Sequence, residues 1–172
     1  APLSLPVRLL VVVPALGVGG TERQLLMLLP RIAECGFAVT LMVLRPHGSL
    51  RSEFEAAGIP VLATRHDWGW LSPLVGFFRV VWFLFTRRPR IIHAFLPEAY
   101  LVAMTASLFG GSVKRVMSRR SLNCYQRGRP AVRALERWLH RRMDAVSANS
   151  ASVGEQLLQE GVTPEQLRVI LN

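Results

Sequence analysis

The feature that most narrows the folds open to this chain is the run Val7–Val13, which is apolar at every position after Arg8. A strand with one wet face alternates apolar and polar residues, whereas an unbroken run is expected of a strand covered on both faces of a parallel sheet. The glycine-rich segment Gly17-Val-Gly-Gly20 ends the run. From Thr21 the apolar spacing becomes helical, with Leu25, Leu28, Leu29 and Ile32 on one stripe and Gly36 as the stop. Pro30 lies inside this helix, removes the hydrogen bond to the Leu26 carbonyl and is expected to kink it.

The same cycle repeats. Residues 37–44, 59–63, 90–94, 113–118, 144–148 and 167–171 read as further strands. Helical patterns fill 50–57, 72–87, 97–109, 130–142 and 151–160. Alternation of this kind is the pattern of an α/β fold, a three-layer, doubly wound, mostly parallel Rossmann-like sheet. No low-complexity linker interrupts it, so residues 1–172 are expected to form one domain. Residues 168–172 look like a buried strand that stops at its last residue, as though the chain were cut at a domain boundary.

Composition excludes several classes. With 51% hydrophobic and 19% charged residues the chain is not intrinsically disordered. Cys35 and Cys124 form no C-x-x-C pair and cannot make a disulfide framework, which fits a reducing compartment and argues against structural zinc. Pro6 and Pro14 interrupt the apolar N-terminus and no A-x-A-like site follows it, so no signal peptide is expected. The stretch 71–85 is the most apolar, yet shorter than the roughly 20 residues of a spanning helix. Trp68 and Trp70 precede it and Arg87, Arg88 and Arg90 follow it, so it reads either as a core helix or as one lying flat in a membrane interface. The net charge of +10 favours anionic partners.

Three places can carry chemistry. The glycine turn stands between the first strand and first helix, where the backbone can approach a ligand and helix N–H groups face an anion. Glu22 occupies the third glycine position of G-x-G-x-x-G and no G-K-[ST] follows, so neither the dinucleotide fingerprint nor the P-loop is present. His93 falls at the C-terminal end of the fourth strand, the edge where open α/β sheets collect ligands, and Glu98 begins the next helix. Segment 114–142 holds ten basic residues and one acid, Glu136, with Arg133, Arg137 and Arg141 on one helix face and Leu135, Trp138 and Leu139 on the other.

Taken in order, the motifs resemble a family. Pro14 to Glu22, with its Gly-Gly-x-Glu, is similar to the first turn of retaining glycosyltransferases of the GT-B fold, group 1 or family 4. Arg88-Pro-Arg-Ile-Ile-His93 resembles that family's R-P-D-[IV]-[IV]-H strand, Val116-Met-Ser-Arg-Arg120-Ser its S-x-R strand and loop, and Val146-Ser-Ala-Asn149-Ser150 its [VA]-x-x-N-S strand. Arg168-Val-Ile-Leu-Asn172 resembles the segment before the N-G hinge. Phe95 stands where many members have a second histidine, and Arg90 replaces the usual acid.

The resemblance implies the N-terminal, acceptor-binding half of a nucleotide-sugar-dependent glycosyltransferase of hexosyltransferase type. The donor-binding C-terminal domain would lie beyond Asn172, and the half alone would be inactive. It implies no cofactor and no metal, with a nucleotide-diphosphate sugar as donor substrate. Gly17, Gly19, Gly20 and Thr21 would approach the donor diphosphate. His93 and Arg120 would be catalytic, and Glu22, Glu98, Arg119 and Asn123 would bind the acceptor. The acceptor would be a cell-envelope glycan or lipid-linked sugar, met in the cytoplasm or at the inner face of an anionic membrane. The alternative is a basic nucleic-acid- or phosphate-binding α/β module built on segment 114–142. Without interleaved aromatics in that segment, nucleic acid is the less expected partner.

Overall fold

In the computed structural model, which describes residues 6–122, 126 and 128–171, β1 (Val7–Val13) is buried from Leu9 onward, as its unbroken apolar run requires. It pairs in parallel with β2 (Phe37–Val43) on one side and β4 (Ile91–Phe95) on the other. The sheet continues outward to β3 (Val61–Leu62) at one edge. At the other it passes through β5 (Lys114–Arg119) and β6 (Ala145–Ala148) to β7 (Leu167–Val169). All seven strands are parallel, in the order β3-β2-β1-β4-β5-β6-β7. The order reverses between β1 and β4, and such a switch point opens a crevice at the C-terminal strand ends.

Helices α1 (Gly20–Glu34) and α2 (Arg51–Ala56) pack on one face. There Leu25, Leu29 and Phe54 meet Leu9, Val11, Val13 and Leu41. On the opposite face lie α3 (Ser72–Arg87), α4 (Pro97–Ser107), α5 (Pro130–His140) and α6 (Ala151–Gln159). Their Val80, Leu84, Met104, Leu139 and Leu157 cover Leu10, Val12, Ile92, Met117 and Val146. This division leaves the α1 side of β5, β6 and β7 without a helix among the described residues. The sequence of β6 records it: Val146 and Ala148 are buried, while Ala145 and Ser147 between them are half-buried.

α1 continues as helix through Pro30. Two details depart from the sequence reading. β3 is two residues long. β7 ends at Val169 and is an exposed edge rather than a buried strand, with Val169, Ile170 and Leu171 all solvent-facing. Its inner neighbour Gly154 of α6 leaves room for Val169, since a Cβ there would lie 3.2 Å from Val169 Cγ2.

Candidate functional site

The turn after β1 is held by the loop after β2. The Leu16 N–H donates to the His47 carbonyl at 3.0 Å, the Arg45 N–H to the Pro14 carbonyl at 2.9 Å and the Leu50 N–H to the Leu16 carbonyl at 3.3 Å. Gly48 permits this contact: its φ is +126°, and a Cβ would fall inside the Leu16 carbonyl. Gly17 and Gly20 differ, because neither has a positive φ and a Cβ on either would meet open space. The fold does not need glycine at those two positions. Gly19 is the N-cap of α1, and the Glu22 carboxylate folds back over it, where the helix dipole favours negative charge. The N-cap residue, a glycine, has no side chain with which to cap the first turn of α1, and Thr21 is buried within it.

His93 stands on the α1 side of β4, half-buried. Its Nε2 is 2.8 Å from Ser118 Oγ on β5, which in turn meets Ser147 Oγ on β6. Registers Phe95↔Ser118 and Ser118↔Ser147 set these polar side chains across three neighbouring strands. The His93 ring lies against Phe95, centroids 4.2 Å apart. Desolvation pushes the His93 pKa down from 6.5 to about 4, so the imidazole is neutral at pH 7.

A cleft opens over this row, lined by Gln24 and Leu28 of α1 with His93, Ser118, Arg120 and Asn149. Burial also lowers the Arg120 pKa from the usual arginine range. Asn149, which the sequence reading did not place in the site, donates from Nδ2 to the Arg120 carbonyl at 3.1 Å. Its Oδ1 is buried with no hydrogen-bond partner among the described residues. A buried acceptor left open is costly and awaits a donor. The N-S pair was visible in the sequence: Ser150 caps α6, and Asn149 faces the cleft. The glycine turn is not part of the lining, and α1 enters it one turn later through Gln24.

Of the expected acceptor residues, Arg119 borders the cleft but sends its side chain elsewhere. Arg119 alternates with Ser118 and points to the opposite face, beneath α5 and α6, with its side chain 6% exposed. Its guanidinium binds Glu136 at 3.1 Å and Glu160 on the other arm. His140 joins them, with Nε2 3.3 Å from Glu160 and Nδ1 2.7 Å from the Tyr100 hydroxyl. Arg119 is therefore a buried structural cation and not an acceptor ligand. Glu136, His140 and Glu160 present metal-type ligand atoms within 4.8 Å of one another, but Arg119 already supplies the positive charge between the carboxylates. Glu98 is not in the lining of that cleft; it pairs with Arg45 at 2.9 Å and ties the start of α4 to the loop after β2. Asn123 lies outside the described residues.

Leu96, between β4 and α4, has φ +70° and ψ 152°, a conformation almost confined to glycine. Strain of this kind, about 1–3 kcal/mol, gathers at functional sites. Among its described residues the basic segment does not form one patch. Arg115 donates to Ser107, Lys114 pairs with Asp144 at 2.7 Å, Arg119 is buried, and Arg142 stacks 3.6 Å over Trp138. The buried side of α5 is Glu136, Leu139 and His140, so Leu135 and Trp138, expected on the inner face, are partly exposed.

A sequence profile described as Glycosyltransferase Family 4 matches residues 18–172. No curated protein matches the sequence at a significant level. Among solved structures, Anabaena HepE in complex with UDP and glucose superposes with a TM-score of 0.77 at 21% identity, over 96% of this chain and 44% of HepE. A glycosyltransferase from Rickettsia africae gives 0.71 at 17% identity, over 98% and 44%. The UDP-GlcNAc 2-epimerase of Methanocaldococcus jannaschii gives 0.65 at 15%, over 95% and 45%. The chain thus spans less than half the length of these structures, and the likeness establishes a shared Rossmann-like, GT-B-type domain.

Proposed function

The chain belongs to Glycosyltransferase Family 4, and from that premise we propose that it supplies the acceptor side of a transferase using a nucleotide-diphosphate sugar, with a second domain holding the donor. The observation that carries this reading is the half-bare sheet face at the C-terminal strand ends, onto which His93, Arg120 and Asn149 open. A second domain closing over that face would bring the donor to the acceptor. The UDP and glucose bound by HepE, of which this chain matches 44%, support a nucleotide sugar as the donor.

Transfer of a sugar places growing negative charge on the leaving diphosphate. Donors aimed at that charge lower the barrier most when they are fixed in advance. The first turn of α1 offers such donors where the Glu22 carboxylate gives way to the diphosphate, and a Cβ on Gly17 or Gly20 would meet open space. His93, neutral and with a pKa near 4, is too weak a base to hold a proton for long at pH 7. Its part is to orient the acceptor hydroxyl, with Asn149 Oδ1 accepting from a second hydroxyl. Arg120 lies beside them as the cationic wall of the cleft. The donor is a hexose, and the acceptor is a cell-envelope glycan or lipid-linked sugar at the cytoplasmic membrane surface.

Titration of the isotopically labelled chain with saccharides and with UDP-sugars tests this. Saccharides should shift the amide signals of His93, Ser118, Arg120 and Asn149, and the Asn149→Ala variant should lose the response. The chain alone should turn over no UDP-sugar. Measurable turnover would defeat the two-domain reading, and saccharide shifts confined to another surface would move the acceptor elsewhere.

A further inference from the structure

Among the described residues the outer side of α3 has no partner. With the 3-10 turn before it, residues 69–87 are long and apolar enough to cross a membrane by length and composition. One side of the helix, however, is fixed to the sheet. Ser72, Gly76, Val80, Phe83 and Leu84 are buried. At Gly76 the helix lies so close to the end of β2 that a Cβ would come within 2.8 Å of Leu44 Cδ2. Arg79 donates to the carbonyls of Val43 and Leu62, each at 3.0 Å. A helix pinned in this way cannot leave the domain to span a bilayer.

Its other side is bare and apolar. Phe78, Trp82 and Phe85 are 60%, 59% and 60% exposed, Leu74 continues the stripe one turn earlier, and Trp70 ahead of the helix is 87% exposed. Phe109, at the end of α4, extends the patch beside Phe77, ring centroids 5.7 Å apart. Soluble monomers rarely leave so many large apolar side chains together in water.

The charges around the stripe say what covers it. Between Asp67 and Glu98 the chain has no acidic residue and four arginines. Where α3 ends, a cleft is lined by Phe85, Arg88, Arg8, Arg90 and Lys114. Two backbone rungs, Arg90 N–H to the Arg8 carbonyl and Lys114 N–H to the Arg90 carbonyl, both 2.9 Å, set the last three residues side by side at the N-terminal strand edge. Lys114 is paired with Asp144, whereas Arg8, Arg88 and Arg90 are exposed and meet no acid among the described residues. Neighbouring like charges repel one another, and an anionic surface removes that penalty. Tryptophans and phenylalanines along one side, with arginines at its end, match the amphipathic boundary of a bilayer.

We propose that the outer side of α3, with the arginines Arg8, Arg88 and Arg90, is the surface by which this protein lies on an anionic lipid bilayer. The aromatic side chains enter the boundary between headgroups and acyl chains, and the guanidinium groups bind lipid phosphates. The choice of a bilayer rests in part on the membrane-borne acceptor proposed above. α3 runs antiparallel to the strands, so its Trp70 end lies toward the C-terminal strand ends.

Co-sedimentation of the full chain with vesicles tests the proposal, using phosphatidylcholine alone and phosphatidylcholine with about a third phosphatidylglycerol. The chain should bind the anionic vesicles, bind the neutral ones weakly, and be released by about 0.5 M salt. Arg88→Glu/Arg90→Glu should weaken binding at least about tenfold, as should Trp70→Ser/Phe78→Ser/Phe85→Ser. All five side chains are exposed, so circular dichroism should show both variants folded. Absence of binding at low salt, or binding that survives both variants, would overturn the proposal. So would a concentration-dependent dimer in sedimentation velocity that the aromatic variant abolishes, because the stripe would then belong to a second copy. Saccharide titration of Arg88→Glu/Arg90→Glu should still perturb the His93 cleft, which separates failure of the membrane surface from failure of the acceptor site.

Discussion

Gly48→Ala should be among the most damaging small substitutions in the domain. Two effects add. The φ of +126° lies where an L-residue is strained by about 1–3 kcal/mol. The new Cβ would also collide with the Leu16 backbone, which cannot swing aside like the end of a side chain. Moving it loosens two hydrogen bonds, Leu16 N–H to His47 and Leu50 N–H to Leu16, each contributing about 0.5–1.5 kcal/mol. Together these come to about 4 kcal/mol. For a domain of this size that is a fall of about 8–16 °C in Tm, measured by circular dichroism. Gly20→Ala is the matched control: it meets no atom and requires no positive φ, so its Tm should change little. A Gly48→Ala variant within about 1 kcal/mol of that control would refute the argument from close approach.

Arg119→Met should lower urea stability by about 3–5 kcal/mol, because Glu136 and Glu160 lose the cation between them. A loss under about 1 kcal/mol would mean that the carboxylates are otherwise satisfied. His93 should titrate near pH 4 by NMR, and a midpoint at or above 6 would contradict its desolvation. Because its folded pKa lies below the unfolded 6.5, the unfolded chain takes up the proton first. His93 therefore withdraws stability as pH falls from about 6.5 toward 4, and His93→Gln should be less acid-sensitive over that window in urea titrations at pH 7 and 5. Leu96→Gly should be at least as stable as Leu96→Ala in urea, reversing the usual order, because glycine relieves the φ of +70°. If glycine proves clearly worse, the strained backbone is not there.

The strand run and the alternation of elements were legible because each is a local pattern that burial enforces. Val7–Val13 could be read as doubly covered from its residues alone. His93 was legible from its place at a strand end. Arg119 was misplaced because the family motif was read as a string. Strand parity sets neighbours on opposite faces, so Ser118 and not Arg119 had to share the side of His93. α5 misled for a different reason: apolar spacing chose Leu135 and Trp138 for the core, while the ion pair to Arg119 drew Glu136 inward. The open acceptor on Asn149 and the backbone at Leu96 depend on tertiary neighbours and leave no periodic trace.

The assembly around Arg119 bears on how the front of the sheet can work. A surface that must keep His93, Ser118 and Ser147 aligned while lacking a covering layer is exposed to bending. Stiffness here comes from behind: Arg119 braces β5 against α5 and the end of α6, and His140 with Tyr100 carries the brace to α4. Those contacts tie the elements into one slab behind the uncovered side.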